Sequence, residues 1–189
     1  EHVSEMGSVA WVGPATLFEL RARAVYWQAQ MIGATPLHGV FDGVSFDEEA
    51  AGGLVLHAAQ KTGQPVTLLV NSASVFEEDT LASHTRADWD AHMDANLRAP
   101  VLLAQAFADA LPKGEKGLIV NMIDQRVWKP TPKFFTYSLS KAALWQATRT
   151  MAQALAPDIR VNGIGPGPTL QSKHQSEAEF AAEKAATLT

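Results

Sequence analysis

The sequence predicts an α/β fold, a doubly wound parallel sheet of the Rossmann-like kind in a single domain. Two observations predict it. Short β-branched runs alternate with Ala-rich helical stretches, the pattern of successive βαβ units. Polar or Gly-bearing motifs then follow successive strands, where an open parallel sheet forms its ligand crevice. These are Asn71-Ser72-Ala73-Ser74, Asp124 and Pro166-Gly167. A chain of 189 residues fits one domain and can bury a substantial core.

Strands are expected at Val9–Val12, Arg23–Trp27, Thr35–Val40, Val66–Asn71, Gly117–Met122 and Ile159–Ile164. Helices are expected at Ala15–Ala22, Glu48–Thr62, Arg86–Ala110 and Tyr137–Ala156, with Asp47 as a cap for the second. In the third helix Trp89, Met93, Leu97, Val101 and Phe107 recur at near-helical spacing and read as its buried stripe. Beyond Thr169 a polar loop leads to a short helix, Glu177–Thr187. There is no internal repeat or low-complexity linker.

Composition narrows the function classes. A net charge of −5 with scattered Lys and Arg argues against a nucleic-acid or acidic-membrane surface. No apolar run approaches the ~20 residues of a membrane span, and no signal-peptide pattern is present. The absence of Cys removes disulfides, thiolate metal sites and Cys nucleophiles together. His2, His38, His57, His84, His92 and His174 form no metal-binding spacing, so no metal is expected. These features fit a cytoplasmic enzyme acting on a small molecule.

Tyr137-Ser138-Leu139-Ser140-Lys141 carries the chemistry. On a helix, residues four apart share one face, so the ammonium can approach the phenol. A nearby cation favours phenolate and lowers a Tyr pKa from about 10 toward the working pH. Such a Tyr can exchange a proton with a substrate oxygen or nitrogen. Alone, the spacing usually marks a solvated helix face. Here Asp124 stands thirteen residues upstream, Asn96 sits in the preceding helix and Pro166-Gly167 follows the next strand.

From about Pro36 to about Thr169 the chain resembles the short-chain dehydrogenase/reductase family. The family's Asn-Asn-Ala-Gly turn is similar to Asn71-Ser72-Ala73-Ser74, its helix Asn to Asn96, and its Tyr-x-x-x-Lys to Tyr137 and Lys141. One departure is informative: the family's Ser thirteen residues before the Tyr is Asp124 here. The pteridine reductase branch resembles this chain both there and in Ser72-Ala73-Ser74-Val75-Phe76.

The resemblance implies an NADP(H)-dependent oxidoreductase reducing a pterin-like or related planar C=N or C=O substrate. Tyr137 would be the proton donor. Lys141 would tune Tyr137 and hold the nicotinamide ribose, and the Asn96 carbonyl would hold a water in a proton relay. Asp124 would meet donors on the substrate, Phe76 would stack on its ring, and Ser74 would bond the pterin or cofactor phosphates. Asn71, Ala73 and an adenine-contacting Asp42 would line the adenosine side, with Pro166, Gly167 and Thr169 around the nicotinamide and pyrophosphate. Trp128, Phe134 and Phe135 either wall the pocket or simply pack. A homotetramer or homodimer is implied, built on the two long helices through Ala142, Ala143, Ala147 and Met151.

The amino-terminal third departs from the family. A dinucleotide fold needs a Gly-rich turn between its first strand and helix. Here Val9-Ala10-Trp11-Val12 runs straight into Gly13-Pro14-Ala15-Thr16. Only Gln28 to Ala34 separate Trp27 from the next strand, short of the ten or so residues of a crossover. One expectation is that two loops are absent from an otherwise complete cofactor segment; the rival is a genuine deletion that abolishes cofactor binding. An intact mass of 20.3 kDa would favour the rival. The family's last strand and helix are read as missing beyond Thr189. Two other functions stay open: a cofactor-deficient binding or structural subunit, and a general carbonyl reductase. The specific substrate and the preference for NADP over NAD are not readable here.

Overall fold

A computed structural model describes residues 8–13, 36–40, 48–168, 171 and 175–187. Their strands form one sheet, all parallel. They are β1 (Ser8–Gly13), β2 (Pro36–Val40), β3 (Val66–Asn71), β4 (Gly117–Met122) and β5 (Ile159–Ile164), in spatial order β2-β1-β3-β4-β5. The chain moves outward from β1 to β2, then resumes at β3 on the other side of β1. The carboxyl ends of β1 and β3 therefore flank the point where strand order reverses, the place a doubly wound sheet binds ligands. The expected strand Arg23–Trp27, helix Ala15–Ala22 and cap Asp47 lie outside the described residues, as do Asp42 and Thr169.

Five α-helices are described, α1 (Glu48–Thr62), α2 (Arg86–Met93), α3 (Ala99–Ala110), α4 (Phe135–Leu155) and α5 (Glu177–Ala185), and α1, α3 and α4 pack on the sheet. Val66, Leu69, Ile119, Ile159 and Val161 from the strands pack with Val55, Leu103 and Phe107 from the helices to form the core. At roughly 25 cal/mol per Å² of apolar surface, each such side chain contributes about 1.5–3 kcal/mol. Gly117 is required by this packing, because a Cβ there would stand 2.8 Å from the Phe107 ring. No helix among the described residues is long and apolar enough to cross a membrane.

The expected single helix Arg86–Ala110 is broken by a π-turn over Asp94–Arg98, where the Ala99 amide bonds the Asp94 carbonyl. Its buried stripe differs from the expected one. His92, Asn96, Pro100, Leu103, Ala104 and Phe107 face inward, while Trp89 remains 37% exposed and Met93, Leu97 and Val101 are half-buried. The physical reason is that the inward stripe is polar in its first half, so apolar periodicity tracks the neighbouring face. The α4 helix begins two residues before Tyr137 and ends at Leu155, and α5 stops at Ala185.

Candidate active site

Three loops leave the carboxyl ends of adjacent strands; those after β3 and β4 converge on the amino end of α4, and the one after β5 pairs with the second. The loop after β3 carries Ser74 to Asp79, the loop after β4 carries Asp124 to Phe134, and Gly165-Pro166-Gly167 follows β5. The Ile123 amide donates to the Ile164 carbonyl at 2.7 Å, and the Gln125 amide to the Pro166 carbonyl at 3.4 Å. These bonds extend the pairing of β4 and β5 beyond the sheet.

Tyr137, in the first turn of α4, is 5% exposed. Its hydroxyl donates to Asp124 Oδ2 at 2.7 Å. Lys141 lies one turn on, 3% exposed, and its ammonium donates to the Met122 carbonyl at the end of β4, 2.9 Å away. The Lys141 nitrogen stands 5.8 Å from the centroid of the Tyr137 ring. Burial pulls the Lys141 ammonium from its ordinary 10.5 down to about 8, partly opposed by the charge of Asp124. The helical spacing thus brings phenol and ammonium into one buried cluster, with the carboxylate delivered from the preceding strand.

Asp124 is held more fully than its sequence context indicates. Its Oδ1 accepts from the Arg126 amide at 2.8 Å, capping the short turn Gln125–Val127. The Arg126 guanidinium reaches both carboxylate oxygens, at 3.4 and 3.3 Å, with the two side chains 19% and 16% exposed. Asp124 thus already takes donors from the protein itself, from the Arg126 amide and guanidinium and from the Tyr137 hydroxyl. The signal was the i, i+2 spacing across a turn, too short-range for a periodicity reading to register.

Phe76 is the hub of an aromatic group. It stacks on Phe134 with ring centroids 4.4 Å apart and meets the Tyr137 ring edge-on at 4.6 Å. The Arg126 guanidinium carbon lies 5.2 Å from the Phe76 centroid and 5.0 Å from that of Phe134. Phe134 itself has φ 56°, a left-handed conformation that costs a non-glycine residue roughly 1–2 kcal/mol. Burial and ring stacking hold it there. The neighbouring aromatics separate in role: Trp128 packs edge-on to Trp145 at 5.5 Å and over Gly165, where a Cβ would lie 2.6 Å from the indole. Phe135 turns instead toward His84, 5.5 Å away.

The remaining candidates divide between clamping and lining. Asn96, fully buried, binds Val75 with both ends of its amide: Oδ1 accepts from the Val75 amide at 2.8 Å and Nδ2 donates to the Val75 carbonyl at 3.0 Å. Nδ2 also lies 3.0 Å from Ser140 Oγ on α4. Residue 100 is Pro, so no amide stands four residues beyond Asn96 to take its backbone carbonyl. Asn71 Nδ2 donates to Asn121 Oδ1 at 2.8 Å, and Asn121 passes the chain to Thr148 at 2.9 Å. Asn71 Oδ1 is buried without a partner among the described residues. Ala73 packs against the core, Ser74 Oγ bonds the Val75 carbonyl at 3.3 Å, and a Cβ on Gly167 would meet nothing closer than 3.9 Å.

Beside this cluster a cleft of about 490 Å³ opens between the 125–134 loop and α5, lined by Arg126, Phe134, Lys129, Gln175 and Glu183 among others. Sequence reasoning passed over Arg126, His92, Asp79 and Thr136, all of which bear on this region. Only His92 left a trace, four residues before Asn96 on the same helix face.

FolM alternative dihydrofolate reductase 1 from Brucella canis, complexed with NADP, is 43% identical, with a TM-score of 0.79 over 95% of this chain and 69% of that one. A short chain dehydrogenase from Burkholderia cenocepacia, also in complex with NADP, is 31% identical, with a TM-score of 0.69 over 85% of this chain and 63% of that one. The oxidoreductase YvrD of Bacillus subtilis is 28% identical over 157 residues, which is 82% of this chain and 59% of that protein. Human dehydrogenase/reductase SDR family member 4 is 35% identical over 104 residues, 54% of this chain and 37% of that protein. The chain thus spans well under two thirds of these curated relatives. The profile of the short chain dehydrogenase family matches residues 17–182, and the chain belongs to that family.

Proposed function

We propose that the protein is an NADP(H)-dependent reductase of a planar, donor-rich heterocycle of the pterin type, with Tyr137 as proton donor. The observation that carries this reading is the bond from the Tyr137 hydroxyl to Asp124, beside the buried Lys141. NADP(H), when bound, supplies the hydride, and the protein positions the reacting groups. Two features at the crevice fit such a cofactor. Asn71 presents a buried acceptor that has no partner among the described residues, and the Lys141 ammonium has three donors, one of them directed to Met122. Asn71, Ala73, Ser74, Pro166 and Gly167 would line the cofactor, with Asp42 and Thr169 completing it.

In this reading the proton leaves the Tyr137 oxygen for the substrate nitrogen or oxygen, and the Lys141 charge favours the phenolate left behind. Asp124 fixes the direction of the hydroxyl. The Asn96 carbonyl, deprived of its usual amide by Pro100, is available to a water leading toward Lys141. Phe76 would offer an aromatic surface once Phe134 or Arg126 yields to a ring. The partly exposed stripe of Trp89, Met93, Leu97 and Val101, with the small residues Ala142, Ala143 and Ala147 on α4, supports a homodimer or homotetramer; a monomer mass in light scattering would count against it.

A general carbonyl reductase is the second reading. It is favoured by the Arg126–Asp124 pair, which neutralises the carboxylate without help from a substrate. Steady-state assays separate the two. NADPH oxidation with a 7,8-dihydropterin, lost in Asp124→Ser, supports the pterin assignment; turnover of simple ketones alone sinks it. Titration of nicotinamide fluorescence tests cofactor binding itself, and no binding would return the chain to the subunit alternative.

A further inference from the structure

Asp79 lies outside the Asp124–Arg126 cluster and has no part in the reading above, yet it is a carboxylate only 5% exposed. All of its hydrogen bonds described here go to the start of α4. The Phe135 amide donates to the Asp79 carbonyl at 3.4 Å, and the Thr136 amide to its two carboxylate oxygens at 3.1 and 3.3 Å. The Thr136 hydroxyl donates to Asp79 Oδ2 in a short bond. The local cap is missing, because Phe134 at the N-cap position is left-handed and makes no side-chain capping bond. The first amides of a helix have no partners of their own. Here a residue 57 positions upstream supplies them.

The same carboxylate leads to a buried His. Thr136 Oγ1 lies 2.8 Å from His92 Nδ1, which is also 2.9 Å from the Asp88 carbonyl. His92 Nε2 accepts from the Glu77 amide at 3.2 Å, so Nδ1 carries the proton of a neutral ring. Three alternate residues of the loop after β3 are thereby fixed: Val75 by Asn96, Glu77 by His92, and Asp79 to Thr136. Phe76 lies between the first two and touches Tyr137. Tyr137 follows Thr136 directly, and its ring is edged by Phe76 and, at 6.1 Å, by His92.

We infer that Asp79 is a positioning residue for Tyr137, a remote cap that sets the first turn of α4 so that the phenol meets Asp124. This rests on Tyr137 being the proton donor. The rest of α4 is anchored independently by buried Leu144, by the Asn121 amide donating to the Thr148 hydroxyl and by Lys141 donating to the Met122 carbonyl, so loss of Asp79 frees the first turn and not the helix. A displacement of about 1 Å at a reacting group can cost on the order of 100-fold in rate. That is enough to break a 2.7 Å bond between Tyr137 and Asp124.

The test uses the full chain and two readouts. Asp79→Ala should lower kcat with NADPH and a 7,8-dihydropterin by roughly 10- to 100-fold, with KM values within about 2-fold. Asp79→Asn keeps an oxygen for the Thr136 amide and should recover most of that loss. The chain has two tyrosines, so in a Tyr26→Phe background phenolate absorbance reports Tyr137 alone, without substrate or cofactor. Asp79→Ala should change that titration, because the phenol loses its fixed place beside Asp124 and Lys141. If Asp79→Ala does not fold, Asp79→Asn and Thr136→Val carry the test, each with a smaller kcat loss. Unchanged kcat and unchanged phenolate titration in the folded variants would overturn the inference and leave Asp79 a fold-stabilising cap. A parent that fails to oxidise NADPH, or a fully active Tyr137→Phe, defeats the reductase reading instead, while the phenolate titration still decides whether Asp79 orients Tyr137.

Discussion

The loops after β3 and β4 sit side by side over the same helix end, yet they are secured by different physics. Residues 75–79 are pinned by neutral amide and imidazole bonds from Asn96 and His92, together with the buried Asp79 cap. Residues 124–134 are held by the Arg126–Asp124 ion pair and a stack of rings, with a more exposed Lys133–Glu78 pair tying them to the first loop and Arg126 and Phe134 opening onto the cleft. Fully satisfied buried polar networks rigidify a structure, because a half-broken one leaves desolvated groups. Stacked rings and a part-exposed guanidinium can exchange their contacts for those of a ligand at lower cost. In the proposed function the first loop holds Tyr137 still, and the second meets a substrate.

Removing the phenol shared by both regions should have the largest effect. Tyr137→Phe should keep the fold and lose about 100- to 10,000-fold in kcat, the range for a positioned acid. Circular dichroism and steady-state kinetics together check it. Retention of turnover would divorce the geometry of both loops from proton transfer.

Lys141→Met should follow, with turnover and stability moving in opposite directions. The folded pKa of about 8 lies below the ordinary 10.5, so between those values the unfolded chain binds more protons. The cost of burying the ammonium is present below about pH 8 and is released as pH rises toward 10.5, which raises stability. Turnover should fall through the same rise, as the charge beside Tyr137 is lost. In Lys141→Met both slopes should vanish and stability at pH 7 should increase, read by denaturant titrations across pH.

Asn96→Ala attacks the pinned loop. It leaves the Val75 amide and carbonyl and Ser140 without their partner, at about 1–3 kcal/mol for a buried unsatisfied group. The shift in urea midpoint measures it. Arg126→Met attacks the adaptable loop and should cost stability less, about 1 kcal/mol, since Asp124 keeps the Arg126 amide and the Tyr137 hydroxyl as donors. Its expected signature is a several-fold change in the ratio of kcat/KM for dihydropterin over ketone. If Arg126→Met destabilises more than Asn96→Ala, the contrast between the two loops is wrong.

Sequence and tertiary structure divide the molecule along a physical line. Periodicity and local spacing determined the strands β3, β4 and β5, the helices that follow them, and the pairing of Tyr137 with Lys141 on one helix face. Each is a matter of residues a few positions apart. Periodicity failed in Arg86–Ala110, where the buried stripe begins with His92 and Asn96 and the apolar stripe lies beside it, because burial there follows hydrogen-bond supply instead of hydrophobicity. The family resemblance brought Asp124 to Tyr137 across thirteen residues, but not Arg126 to Asp124 or Phe134 to Phe76. Those contacts depend on how a turn and a left-handed residue aim their side chains. Asp79 and Thr136, 57 positions apart, leave no pattern at all. Only the folding of two strand-end loops onto one helix amino terminus decides that the carboxylate of one caps the turn that carries the phenol.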